Sequence, residues 1–226
     1  MEITSNVHLI EGVVALPYLI IDPTGLTLID AGMPFSASRI LRFIQKLGFQ
    51  PDDLDRIIIT HSDIDHIGGL EIIRSATKAK VYTSPIEAEA IRSGEPSRRI
   101  SGRGAMKPLV TLLAPLSKAR PSIVEDTLED GQVLPLLGGL QVIYTPGHTP
   151  GHISLYSPST KILFSGDSFL IRPERFIPSY GFNNWDSSES IKSYQLQAEL
   201  HSEIVCGGHG WTKENIGIKF SRDINQ

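Results

Sequence analysis
Short apolar runs closed by turn residues recur along the chain, and helical patterns follow several of them. Val7 to Ile10, Val13 to Ile21 and Leu26 to Asp30 are rich in aliphatic and β-branched residues and read as strands. Glu11-Gly12 and Asp22-Pro23-Thr24-Gly25 separate them, which makes a hairpin of the second and third. Ile40, Leu41, Ile44 and Leu47 then recur at helical spacing within Ser36 to Leu47, and Gly48 stands where a helix stop is expected. Ile57 to Thr60 reads as a buried strand, Ile67 to Ser75 as a helix and Val81 to Thr83 as a strand. Pro85 to Ile91 is a helix entered through proline. Strand-then-helix repetition of this kind predicts α/β layers.

The second half repeats the outline. Val133 to Leu137 and Leu140 to Tyr144 flank a Gly138-Gly139 hairpin turn. Ser154 to Tyr156 and Lys161 to Phe164 are further strands, and Ile204 to Cys206 is the last. Ser187 to Leu200 reads as a helix with Ile191, Tyr194, Leu196 and Leu200 as its inward positions. No Gly/Ser-rich or Pro-rich linker divides the halves, so residues 1–226 read as a single domain.

Residues 93–126 break the pattern. From Pro85 to Arg120 seven basic residues face three acidic ones, in a chain whose formal charge is −4. This segment is either a lid over a pocket for an anionic small molecule, or a surface helix pair that forms a solvated face or a homodimer contact. The overall charge argues against nucleic acid as a partner. No apolar run approaches the length of a membrane span, and the N-terminus has neither a basic nor an apolar leader region. Cys206 is the only cysteine, which suits a reducing compartment and makes a cytoplasmic location the expectation.

The chemistry lies in loops that follow strands. Thr60-His61-Ser62-Asp63-Ile64-Asp65-His66-Ile67-Gly68-Gly69 places four candidate metal ligands within six residues. Thr145-Pro146-Gly147-His148-Thr149-Pro150-Gly151-His152, Ser165-Gly166-Asp167-Ser168 and Gly207-Gly208-His209-Gly210 repeat the composition, each with a His or Asp beside a Gly. Imidazole and carboxylate are the usual ligands for zinc, iron and manganese. Four such loops suggest one shared site at the sheet edge.

As an ordered set, these motifs resemble the metallo-β-lactamase superfamily over nearly the whole chain, beginning with Leu28-Ile29-Asp30-Ala31-Gly32. The resemblance implies a four-layer αβ/βα sandwich and two divalent metal ions, zinc or iron/manganese. It also implies that His61, Asp63 and His148 bind one ion, that Asp65, His66 and His209 bind the other, and that Asp167 bridges them. Asp65 would orient a metal-bound hydroxide and move its proton. His152 and Asp30 would brace the ligands from behind, while Arg172, Arg175 and Tyr180 are candidates for holding substrate. His8 and His201 lack motif support and read as structural or surface residues.

One position departs from the family's H-x-H-x-D-H pattern, because Asp63 stands where the second histidine is usual. The change makes the site harder and more negative and moves its preference toward iron or manganese. Flavo-diiron proteins are similar in carrying a carboxylate there. The implied function is metal-dependent hydrolysis of an ester, lactone or thioester. A phosphodiesterase, or a di-iron oxidoreductase served by a separate electron carrier, is the alternative. Asp167 stands where the commonest true β-lactamases carry a cysteine ligand, and Leu170 where quorum-quenching lactonases carry a tyrosine. The chain as given shows no C-terminal helical domain of the glyoxalase II kind, no long insertion of the ribonuclease Z kind and no flavodoxin-like domain.

Overall fold
A computed structural model describes residues 1–98, 118–171, 176–179 and 184–210. Residues 99–117 of the basic segment, and the candidate substrate residues Arg172, Arg175 and Tyr180, lie outside the described residues. The chain divides into two compact units, Met1–Glu129 and Asp130–Gln226.

The first unit carries a seven-stranded sheet in sequential order: β1 (Glu2–Thr4), β2 (Val7–Leu9), β3 (Tyr18–Asp22), β4 (Gly25–Ile29), β5 (Leu54–Ile58), β6 (Lys80–Thr83) and β7 (Asp126–Thr127). β1 to β4 pair antiparallel, and β4 to β7 pair parallel. Parallel neighbours need a crossover, and three are supplied by helices: α1 (Ala37–Lys46), the pair α2 (Ile64–Ile67) and α3 (Leu70–Thr77), and α4 (Pro85–Ser93). Ile40 and Ile44 of α1, Leu70 and Ile73 of α3 and Ala88 and Ile91 of α4 pack with Leu19, Leu28, Ile57 and Val81 in one apolar core. In the parallel part of an open α/β sheet, ligands bind beyond the carboxyl ends of the strands. Asp30 and His61 sit just past the ends of β4 and β5.

Three expectations change in this unit. The strand expected over Val13 to Ile21 is confined to Tyr18–Asp22, because Pro17 has no N–H to donate and only its carbonyl bonds, to Ile10 N at 2.9 Å. The helix expected over Ile67 to Ser75 is two helices broken at Gly68-Gly69. A Cβ on Gly69 would lie 2.5 Å from the Ala31 carbonyl oxygen, so the β4 loop and the helix junction approach closely only because this residue has no side chain. β1 and β7, too short for an alternation pattern, were not anticipated from the pattern of residues.

The second unit has a five-stranded sheet in the order β14-β11-β10-β9-β8, built from β8 (Val133–Leu134), β9 (Leu140–Tyr144), β10 (Ile153–Ser157), β11 (Ile162–Gly166) and β14 (Ile204–Gly207). A separate hairpin, β12 (Phe169–Ile171) and β13 (Phe176–Pro178), lies beside it in sequence. β8 to β11 form an antiparallel meander, and β14 joins β11 in parallel. That arrangement brings the ends of β9, β11 and β14 to one edge, which is where the three His- and Asp-bearing loops emerge.

The helix α5 (Ser187–Ala198) corrects the expected apolar face. Tyr194 is buried as expected, but Ile191 and Leu196 are exposed, and Leu200 lies beyond the helix end. The other inward positions are Ser190, Ser193 and Gln197. Each is hydrogen-bonded to a loop or strand of the unit. Ser190 Oγ donates to Ser179 O at 2.7 Å, and Ser193 Oγ to Pro146 O at 2.7 Å. Gln197 Nε2 donates to Ser168 Oγ at 2.6 Å, while its Oε1 accepts from Ser154 Oγ at 3.0 Å. Gln197→Leu is therefore expected to destabilise the protein by about 2–3 kcal/mol despite its similar size, because buried hydroxyls lose partners. Urea unfolding measures it, and a neutral effect would show that the network contributes little.

Candidate metal centre
In the first unit the ligand-rich loop is held by a fully used carboxylate. Asp30 has left-handed backbone (φ 59°) and is buried. Its Oδ1 accepts from Thr60 N at 2.9 Å, and its Oδ2 accepts from Thr60 Oγ1 at 2.8 Å and lies 2.8 Å from His66 Nδ1. A carboxylate can only accept here, so His66 carries its proton on Nδ1 and presents the Nε2 lone pair. Thr60 Oγ1 spends its own proton on Asp30 and so accepts from His61 Nδ1, 3.0 Å away. His61 is thereby fixed in the same tautomer, and both rings are fully buried with centroids 4.0 Å apart.

One nitrogen of each of these histidines lies within 4.8 Å of the other, and a carboxylate oxygen of Asp65 is as near to His66. Asp63 Oδ2 is 3.8 Å from His61 Nε2. Asp63 also forms a two-pronged ion pair with Arg98, which is nearly buried; Nη2 to Oδ2 is 2.7 Å, and Nη1 pairs with Oδ1. In the sequence Arg98 is one charge among several in a basic stretch, with no local sign of this contact. Glu87, fully buried on α4, was missed as well: it accepts from Ser62 N at 2.9 Å, Ser62 Oγ at 2.5 Å and Ser97 Oγ at 3.1 Å.

In the second unit, His148 Nε2 is 3.6 Å and His209 Nε2 is 3.4 Å from the same Asp167 Oδ2. Two donors each about 2.1 Å from one ion at a tetrahedral angle stand about 3.4 Å apart. Each histidine is thus spaced from Asp167 as two ligands of one ion would be, and Asp167 is nearly buried. His148 Nδ1 faces Ser179 Oγ at 3.2 Å and Asn184 Oδ1 at 3.4 Å, so Nδ1 carries the proton and Nε2 presents the lone pair. Its loop is pinned by Trp185 N to His148 O and Asp186 N to Gly147 O. Gly147 has φ 145°, and a Cβ there would lie 2.4 Å from Ser190 Cα.

His152 sits differently. Its Nε2 accepts from the Asp167 backbone N–H at 3.0 Å and its Nδ1 faces Thr145 Oγ1 at 2.8 Å, so one nitrogen braces the loop that carries Asp167 and the other the start of the loop that carries His148. His8 packs near Phe43 and burial lowers its pKa; His201 is exposed. Cys206 is a buried free thiol whose pKa burial raises, which makes it inert. The donor sets of both units, and the tautomers enforced on His61, His66 and His148, fit divalent metal ions.

The family model of the metallo-beta-lactamase superfamily matches residues 11–209. A probable metallo-hydrolase of Bacillus subtilis, YflN, is 32% identical, with 100% of this chain and 90% of that protein covered. An N-acyl homoserine lactonase of Bacillus thuringiensis is 28% identical, covering 87% of this chain and 81% of the lactonase. Among solved structures, a metallo-beta-lactamase of Cronobacter sakazakii with a HARLDQ motif superposes with a TM-score of 0.73 at 25% identity, over 93% of this chain and 77% of that one. A mutant of the FEZ-1 metallo-beta-lactamase from Legionella gormanii gives 0.73 at 23% identity, covering 92% and 78%. No helix among the described residues is long and apolar enough to cross a membrane. With an α/β fold of this type and its ligand loops at strand ends, the chain belongs to the metallo-beta-lactamase superfamily of metallo-hydrolases.

Proposed function
We propose that the His and Asp sets of the two units serve one hydrolytic centre acting on a carboxylic ester, lactone or thioester. His61, Asp63 and His148 would hold one divalent ion, Asp65, His66 and His209 a second, and Asp167 would belong to both. The observation that carries the reading is the convergence of His148 and His209 on one oxygen of Asp167, at 3.6 and 3.4 Å. A bound divalent ion supplies Lewis acidity and brings the pKa of water to about 7. Asp65 accepts the proton of the attacking water and returns it to the leaving oxygen or sulfur. Attack at the acyl carbon forms one C–O bond, and collapse of the tetrahedral centre breaks the bond to the leaving group.

Lactones come first among these substrates because relatives covering most of the chain are named as lactonases. Position 170 offers an aliphatic side chain, so no hydroxyl from that residue assists the carbonyl. The di-iron alternative rested on the extra negative charge of Asp63, and Arg98 offsets that charge. The test is elemental analysis of purified protein, followed by assays of acyl lactones, thioesters, aryl esters and phosphodiesters with zinc, manganese or iron restored. Metal-dependent turnover of acyl substrates is expected. Turnover of phosphodiesters alone, or dioxygen consumption without acyl hydrolysis, would overturn the proposal.

A further inference from the structure
Asp63 is the one departure from the family's ligand pattern, and the residue that grips it comes from far along the chain. The guanidinium of Arg98 is nearly buried and engages both carboxylate oxygens of Asp63, one prong at 2.7 Å. Arg98 is held in place by its neighbour. Ser97 Oγ donates to Glu87 Oε1 at 3.1 Å and Ser97 N to Ser62 Oγ at 3.4 Å, so residues 97 and 98 are clasped to the same loop that carries His61 and Asp63. Bidentate pairing fixes the plane of a carboxylate as well as its charge. It does not exhaust the acceptor capacity of the two oxygens, because an ionised carboxylate has about four lone-pair sites. Oδ2, which accepts the Nη2 prong, is also the oxygen 3.8 Å from His61 Nε2.

We infer that Asp63 and Arg98 act as one composite ligand of zero net charge, electrostatically equivalent to the neutral imidazole usual at this position. Arg98 is then a positioning and metal-selecting residue. It orients Asp63 and cancels the charge that would otherwise favour harder ions over zinc. The inference rests on the metal reading of His61 and Asp63. Purified wild-type protein that binds no metal would defeat that reading, whereas normal binding with no effect of Arg98 would defeat only the inference.

The experiment is a double-mutant cycle on full-length protein, read by zinc and manganese dissociation constants from titration of apo protein and by the apo melting temperature. Arg98→Met should shift the zinc-to-manganese affinity ratio toward manganese on the order of tenfold, since an uncompensated carboxylate is the harder ligand. Asp63→His alone leaves a buried guanidinium without its carboxylate, and should lower the apo melting temperature by about 10 °C and weaken zinc binding. Asp63→His combined with Arg98→Met should recover both, because a neutral imidazole then replaces a neutral pair. Arg98→Lys keeps the charge with a single-point contact, so it should keep the wild-type metal ratio while losing stability. An unchanged ratio in folded Arg98→Met overturns the inference, as does a double variant no better than Asp63→His. Should Arg98→Met not fold, the double variant and Arg98→Lys decide on the same terms.

Discussion

Asp30→Asn is expected to lose its grip on metal before it loses its fold. Asparagine tolerates the left-handed backbone at this position, and the shape of the side chain is kept. Its Oδ1 can still accept from Thr60 N, where the carboxylate now bonds at 2.9 Å. That choice turns the amide nitrogen toward Thr60 Oγ1 and His66 Nδ1, both of which give protons to Oδ2 in the native protein. Relief of the donor–donor clash requires His66 to move its proton from Nδ1 to Nε2, the nitrogen that would face a bound ion. Metal affinity should fall about 10–100-fold, against a stability loss of about 1–3 kcal/mol. Dialysis against graded zinc with elemental analysis, beside urea unfolding, separates the two. Full affinity in a folded variant would show that His66 does not bind through Nε2.

Asp167→Asn should be the most damaging isosteric change in the second unit. The backbone N–H of residue 167 keeps its bond to His152 Nε2, so the loop should hold its place. What disappears is the negative charge on the oxygen that His148 and His209 both approach. An amide oxygen is a far weaker ligand than a carboxylate, and it could not balance the charge of an ion held there. Metal-dependent hydrolysis should drop on the order of a thousandfold, and bound metal should fall below wild-type stoichiometry. Circular dichroism should be unchanged. Activity within tenfold of wild type would remove Asp167 from the centre.

The candidate ligand loops were legible because the sequence repeats one grammar: an apolar strand, then a His or Asp with a Gly close by. Asp30, His61 and Asp167 all stand within three residues of a strand end. The residues that hold those loops gave no comparable signal. Arg98 looks like any other charge in a basic stretch, because an ion pair made across 35 residues leaves no local pattern. Glu87 sits in the first turn of a helix, where an acid is ordinary. α5 misled in the opposite direction: Ile191 and Leu196 have the right spacing for a core face, yet the buried face is made of Ser190, Ser193 and Gln197. Apolar periodicity finds a helix that packs by burial, and it is blind to one that packs through hydroxyls and an amide.

That polar seam also fixes alignment. Two greasy surfaces can slide by a turn and bury nearly the same area, so they specify a distance better than a register. On α5, Ser190 reaches the Ser179 carbonyl, Ser193 the Pro146 carbonyl, and Gln197 both Ser154 and Ser168. A slip of one turn would break all of these bonds at once and strand their donors in the interior. The helix therefore works as a vernier with one allowed setting, and the loops bearing His148 and Asp167 inherit its precision.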